Sequence, residues 1–234
     1  HRRQAGRIGG LMLILTDIVD GQIDRPTMPL DEKELYLDEG TRLLLSGTES
    51  NFVPENEDQE VSFGLARHLH EAVVQADEKE RFASLFRDLI PDVKRQLSSD
   101  NLDEHLQLAR KIGGTCALLG VAAAEHTTGV EQPQARIAAA SIGAYAECLD
   151  HAYEMREDIR YGVPTYVTLY LEQHGDTPAN RRQAREDLLD VSSDAYREGL
   201  TVLDDKQKSI YRATCRMLDV RYRFIKRIGS IGDM

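Results

Sequence analysis

"IGAYAECLDHAYEMREDIRYGVP", residues 142–164, decides the fold. Its apolar residues recur at three- and four-residue intervals, the signature of a helix with one buried stripe. Asp150, Glu154 and Asp158 recur four and four. At 100° per residue they occupy an arc of about 80° and ~12 Å of helix axis. Pro133 opens this helix at about residue 134, and "YGVP" ends it at about 161.

Working outward, the same period extends along nearly the whole chain. No alternating strand pattern and no internal repeat interrupts it. A first helix is expected over about 8–24, broken by Pro26 and Pro29. Asp31 with Glu34 reads as a capping box opening a helix to about Ser46. "GTESNFVPENEDQE" (47–60) is acidic and unpatterned, and reads as a mobile loop, a lid or a disordered stretch. Helices follow at about 61–76, at 78–98 with a disturbance at Pro91, and at 102–125 with an interruption at "KIGGT". Thr177 caps a further helix with Pro178 in its first turn, and a last helix continues to about Arg227. The expected architecture is all-α: a single helical bundle of eight or nine helices covering 1–234.

The 234 residues carry a net charge of −11, which opposes binding to a nucleic-acid backbone, so no nucleic-acid partner is expected. A phosphorylated ligand would need a bridging cation. Cys116, Cys148 and Cys215 are isolated and odd in number, so they read as buried free thiols in a reducing, cytoplasmic compartment. The apolar run "IGGLMLIL" is too short to span a bilayer, and acidic residues stand where a signal-peptide cleavage site would be. Residue 1 is not Met, so the chain is expected to begin inside a longer gene product.

A second acidic face lies near the N-terminus. "LTDIVDGQID" (15–24) places Asp17, Asp20 and Asp24 within an arc of about 60° on one helix. Carboxylates ~5 Å apart repel by about 3 kcal/mol per pair at an effective dielectric of 20, and by under ~1 kcal/mol in water. Such clustering is either a solvated surface or a site for cations. Two such faces, each backed by apolar residues, could confront each other across a bundle cavity and bind hard divalent ions. Mg²⁺ suits them, since it accepts a few carboxylates and completes its shell with water and substrate phosphate.

Here the residues resemble a known family. The first cluster looks like the aspartate-rich motif of class I isoprenoid synthases, and the second like their distal metal triad. Within that superfamily "DIVDGQIDRPTMPLD" and "CLDHAYEMRED" are similar to segments of the bacterial large-terpene (tetraprenyl-β-curcumene) synthases, and "KIGGTCALLG" resembles their small-residue helix break. The squalene and phytoene synthases share a Gly four residues after the last acid, as Gly162 stands here. The resemblance covers about 15–175, and it implies a bundle of the class I isoprenoid synthase type. That fold places two or more helices before its first acidic motif, whereas sixteen residues precede Asp17.

The resemblance implies a Mg²⁺-dependent terpene synthase ionising an all-trans prenyl diphosphate to a hydrocarbon or alcohol. It implies about three Mg²⁺ ions, held by Asp17, Asp20 and Asp24 on one side and Asp150, Glu154 and Asp158 on the other. Asp17, Asp20 and Asp150 match the motifs most clearly and would be catalytic. Arg25, Arg110 and Lys111 are candidates for the diphosphate, and "RYRF" offers Arg221 and Tyr222 as a C-terminal Arg-Tyr pair. Close helix packing at Gly113 and Gly114 is the alternative to a functional break. Tyr161 lies on the triad's face and reads either as a cavity wall or as core. The histidines read as surface groups or satisfied partners, since no Glu-x-x-His pair occurs. Alternative functions are a head-to-head or chain-elongating prenyltransferase, or a non-catalytic scaffold of the same fold. A homodimer and a peripheral membrane association through the apolar substrate remain open as partners.

Overall fold

The computed structural model describes the backbone of residues 15, 18–19, 21–25, 27–48, 50–75, 79–128, 130–131 and 133–232, and the side chains of these except 75, 79, 123, 126–128 and 223–232. Among the described residues all regular structure is helical. After helical backbone at residues 15, 18–19 and 21–23 come α1 (Leu30–Ser46), α2 (Glu57–Gln75), α3 (Lys79–Ser98) and α4 (Leu102–Thr128). Then follow α5 (Pro133–Tyr161), α6 (Tyr166–His174), α7 (Pro178–Thr201) and α8 (Asp205–Gly232). None of the described helices is long and apolar enough to cross a membrane.

Local chemistry accounts for most helix ends. Thr177 Oγ1 accepts from the Asn180 amide at 3.2 Å, with Pro178 in the first turn as expected. Asp204 and Gln207 cap α8 reciprocally: the Gln207 amide donates to Asp204 Oδ1 at 2.8 Å, and the Asp204 amide donates to Gln207 Oε1 at 3.0 Å. At the other end of α5, Gly162 adopts φ +65° and the Val163 amide donates to the Asp158 carbonyl at 3.0 Å. That left-handed turn ends a helix cheaply only at glycine, which is a structural reason for Gly162.

Several expectations need correction. Asp31 is not an N-cap: Pro29 holds that position without a side-chain cap, and Asp31 with Glu32 instead sits in the positive first turn of α1. The 47–60 segment is not wholly irregular, since α2 begins at Glu57, where Asn56 Oδ1 accepts from the Gln59 amide at 3.0 Å. Phe52 pins the remainder, buried between Tyr36 and Phe63 with ring centroids 5.5 Å from each. Glu39 also accepts from Ser50 Oγ and the Asn51 amide. α3 runs through Pro91, and α4 runs unbroken through "KIGGT". The short helix α6 was not expected.

The chain divides into two compact units, residues 1–94 with 118–132 and residues 95–117 with 133–234. In the first, α1 packs on α2 around Tyr36, Phe52 and Phe63, and an apolar hollow is lined by Leu44, Leu69, Val73, Phe82 and Phe86. The Tyr36 hydroxyl donates to Ser62 Oγ at 2.7 Å inside this core, so the ring's polar end is satisfied. In the second, α5 is the central helix and packs against α6, α7 and α8. Ala109, Cys148, Ala152, Val167, Ala184 and Leu188 form one core cluster there, and Ala138, Leu203, Tyr211 and Cys215 a second. Small side chains on α5 let its neighbours approach closely, which is why a helix carrying so many polar residues can occupy the middle of the unit.

Candidate functional site

Gly113 and Gly114 have a packing role. A Cβ on Gly113 would lie 2.4 Å from the Gly143 carbonyl oxygen, and one on Gly143 would meet the Gly113 carbonyl oxygen at 1.9 Å. α4 and α5 therefore cross backbone to backbone. The stretch expected to break a helix and free its amides is a continuous helix, because the glycines serve the crossing and each keeps its place in the helical ladder. Arg110, one turn earlier, pairs with Glu198 of α7, while Lys111 is exposed.

The α5 carboxylates do not share one environment. Asp158 is buried, and its Oδ2 accepts from Thr165 Oγ1 at 3.2 Å, tying the end of α5 to the start of α6. Glu154 is partly buried, and burial, then Asp150, then Glu157 push its carboxyl up to about 7, against a smaller pull from Arg221. Asp150 accepts a hydrogen bond from the Tyr222 hydroxyl, which burial and this carboxylate raise well above the ordinary phenol range.

Arg221 and Tyr222 thus come from about seventy residues further along the chain onto the Asp150–Glu154 face. Their position follows from the α8 register, in which Tyr211 and Cys215 are buried against the second core cluster and Tyr222 continues the same face one helical repeat on. The ring of Tyr222 stacks on Tyr153 with centroids 6.5 Å apart and planes 7° from parallel. Arg185 of α7 lies 4.8 Å over the other ring, Tyr153, and Arg221 lies 5.9 Å from the Tyr222 centroid. Tyr153 and Arg185 were missed in the sequence. Arg185 follows the buried Ala184 on α7, and that adjacency was the one signal for a cation beside the core.

Among the described residues, no three His, Cys, Asp or Glu side chains converge in a form that could hold a metal ion. Asp150 and Glu154 nevertheless make a donor set suited to Mg²⁺, which commonly takes one or two carboxylates and completes its shell with water and phosphate. The raised Glu154 carboxyl reflects burial first, with the neighbouring Asp150 and Glu157 charges adding to it.

Of the first cluster, Asp17 and Asp20 lie outside the described residues. Asp24 sits in the turn after residue 23, and its charge acts on the buried Lys33 of α1. Burial lowers the Lys33 ammonium below the usual lysine range, and Asp24 opposes that shift. Arg25 pairs with Asp58 at 3.1 Å, and Gln22 Nε2 donates to the same carboxylate oxygen at 3.3 Å. Because Lys33 is buried, Asp24→Asn is expected to lower stability by about 1–2 kcal/mol, leaving a buried ammonium with less counter-charge. Chemical denaturation at neutral pH measures this.

Two histidines depart from the expected surface or satisfied state. His105 is buried with Nε2 at 2.9 Å from the Ser99 carbonyl and no hydrogen bond at Nδ1. The His151 side chain is 12% exposed, and its Nδ1 also lacks a partner. Burial, then the His105 ring, push His151 down to about 4, despite the Glu147 carboxylate 3.6 Å from Nε2. Tyr161 is 47% exposed, so it is neither core nor an enclosed wall.

Opposed pH effects follow. A folded Glu154 near 7 binds its proton more tightly than an unfolded one, so its contribution falls as pH rises from about 4.5 to about 7. A folded His151 near 4 binds its proton less tightly than an unfolded one, so its contribution rises from about 4 to about 6.5. Glu154→Gln is expected to unmask the histidine slope, with stability climbing on the order of 1–2 kcal/mol across that window. Denaturant midpoints at half-unit pH steps read it out, and an unchanged slope would remove Glu154 from this account.

The Cys148 thiol, raised to about 12 mainly by burial, and Cys215, raised to about 11, stay protonated at neutral pH, as do ordinary core thiols. Comparison with known proteins adds no relative: no family model matches the chain, and no significant match appears among curated proteins or solved structures.

Proposed function

We propose that the chain is a Mg²⁺-dependent class I terpene synthase, ionising an all-trans prenyl diphosphate to a terpene hydrocarbon or alcohol. One observation carries this reading: Arg221 and Tyr222 of α8 lie against Asp150 and Glu154 of α5, four residues singled out for one chemistry from distant parts of the sequence. Asp150 and Glu154 would hold the metal together with substrate phosphate. When bound, Mg²⁺ supplies Lewis acidity and neutralises charge on the leaving diphosphate.

The chain's own groups do the rest. Arg221 offers a guanidinium to the diphosphate beside the carboxylate face, and Tyr222 orients Asp150 through its hydrogen bond. Tyr153 and Tyr222 stack on each other, and Arg185 lies over the Tyr153 ring as its cation partner. In this reading Arg110 and Lys111 remain diphosphate candidates, and Arg110 would first have to leave Glu198.

Incubation with farnesyl, geranylgeranyl and longer all-trans diphosphates is expected to release diphosphate only with Mg²⁺. Release should stop on chelation with EDTA. Products of unchanged carbon number support the synthase, and doubled or extended chains give the site to a prenyltransferase. No release across the set removes the enzyme reading.

A further inference from the structure

The last helix carries charge opposite to the rest of the protein. Residues 205–232 hold eight Lys and Arg against two Asp, a net +6 within a chain of net −11. One face of α8 is accounted for, since Tyr211 and Cys215 are buried in the second core cluster and Tyr222 meets Asp150. The opposite face is apolar and open: Ile210 is 62% exposed, Met217 67% and Val220 65%. Exposed Ala213 completes a stripe at three- and four-residue spacing whose centre lies about 160° round the helix from the buried side. Exposed Arg216 flanks it about 80° from the centre with exposed Arg212 further round at about 120°, and Lys206 extends its line toward the N-terminus.

We propose that this face of α8 seats the protein on an anionic lipid surface. The apolar stripe would enter the boundary between headgroups and acyl chains, and the flanking cations would reach outward to lipid phosphates. Charge decides the occupant. A second copy packed face to face would set Arg216 close to the same residue, with no acidic group on the stripe itself to answer it. Asp205 and Asp219 lie about 100° and 140° from the stripe's centre. The acidic bulk does not cancel the attraction at contact, because beyond about 8–10 Å its charges are screened at physiological salt. The inference rests on the exposed face alone and is independent of the proposed activity.

Sedimentation of the full chain with vesicles tests it, using phosphatidylcholine alone and phosphatidylcholine with phosphatidylglycerol. The protein is expected to sediment with the anionic vesicles, to remain free with neutral ones, and to be released by high salt. Arg212→Glu with Arg216→Glu should weaken partitioning about tenfold or more. Ile210→Glu, Met217→Glu and Val220→Glu together should abolish it. All five positions are exposed, so unchanged helicity and melting temperature would confirm intact folds. Undiminished binding by either variant would overturn the proposal, as would no binding by the parent chain. A parent dimer that becomes monomeric in the triple variant, without vesicle binding, would give the face to a second copy. Retention on polyglutamate resin without vesicle binding would give it to an acidic protein. Either of those outcomes also overturns the lipid assignment.

Discussion

Gly143→Val is expected to lower stability by about 3 kcal/mol or more and to disrupt the second unit. Even alanine would put its Cβ 1.9 Å from the Gly113 carbonyl oxygen and 2.7 Å from Ala117 Cβ. The first neighbour is backbone and cannot turn aside as a side-chain tip can, so the helices must separate. Separation opens the contact between α4 and α5, and overpacking of this kind typically costs 1–3 kcal/mol or more. The gain in helix propensity on leaving glycine is only about 0.5 kcal/mol for a β-branched residue, too little to compensate. Gly120→Ala provides the control, because nothing lies within 4 Å of its added Cβ and α4 is helical there. That variant should gain up to about 1 kcal/mol. Urea melts of the two variants beside the parent give the comparison. Equal tolerance at both positions would mean that the crossing is looser than these distances.

Asp150→Ala is expected to lower diphosphate release by about a thousandfold, equivalent to ~4 kcal/mol of transition-state stabilisation. It removes a carboxylate from the α8-facing side of α5 and leaves the Tyr222 hydroxyl without its acceptor. Stability should change little. Losing that hydrogen bond costs about 1 kcal/mol, while relief of repulsion with Glu154 returns a similar amount above pH 7. Two readouts separate a metal-binding role from a structural one. The Glu154 carboxyl should titrate below 7 in the variant, and a Mg²⁺ titration of the parent at pH 7 should release protons that the variant does not. A large fall in melting temperature would instead show that Asp150 serves the fold, and the site would fall with it.

What was legible in the sequence was local. The all-helical architecture follows from apolar spacing, and the start of α7 from Thr177 and Pro178, because these depend on groups within about one helical turn. The register of Asp150, Glu154 and Asp158 along α5 belongs with them. Errors arose where a distant contact overrode a local signal. "KIGGT" contains two poor helix formers yet stays helical, because α5 supplies a surface that only glycine can approach. The 47–60 segment has no period, but Phe52 finds Tyr36 and Phe63.

The chemistry divides the same way. Helical spacing puts three acids on one face of α5 but cannot say which of them meets what. Tertiary packing turned Asp158 toward Thr165, set Tyr222 on Asp150 and left Glu154 crowded and partly buried. It also brought the buried Lys33 within electrostatic reach of Asp24. A carboxylate's charge state depends on burial and on neighbours several ångströms away in space, and those neighbours lie up to about seventy residues away in this chain. The order of residues determined which side chains share a helix face; only the packing of one helix on another decided their partners, their solvation and therefore their protons.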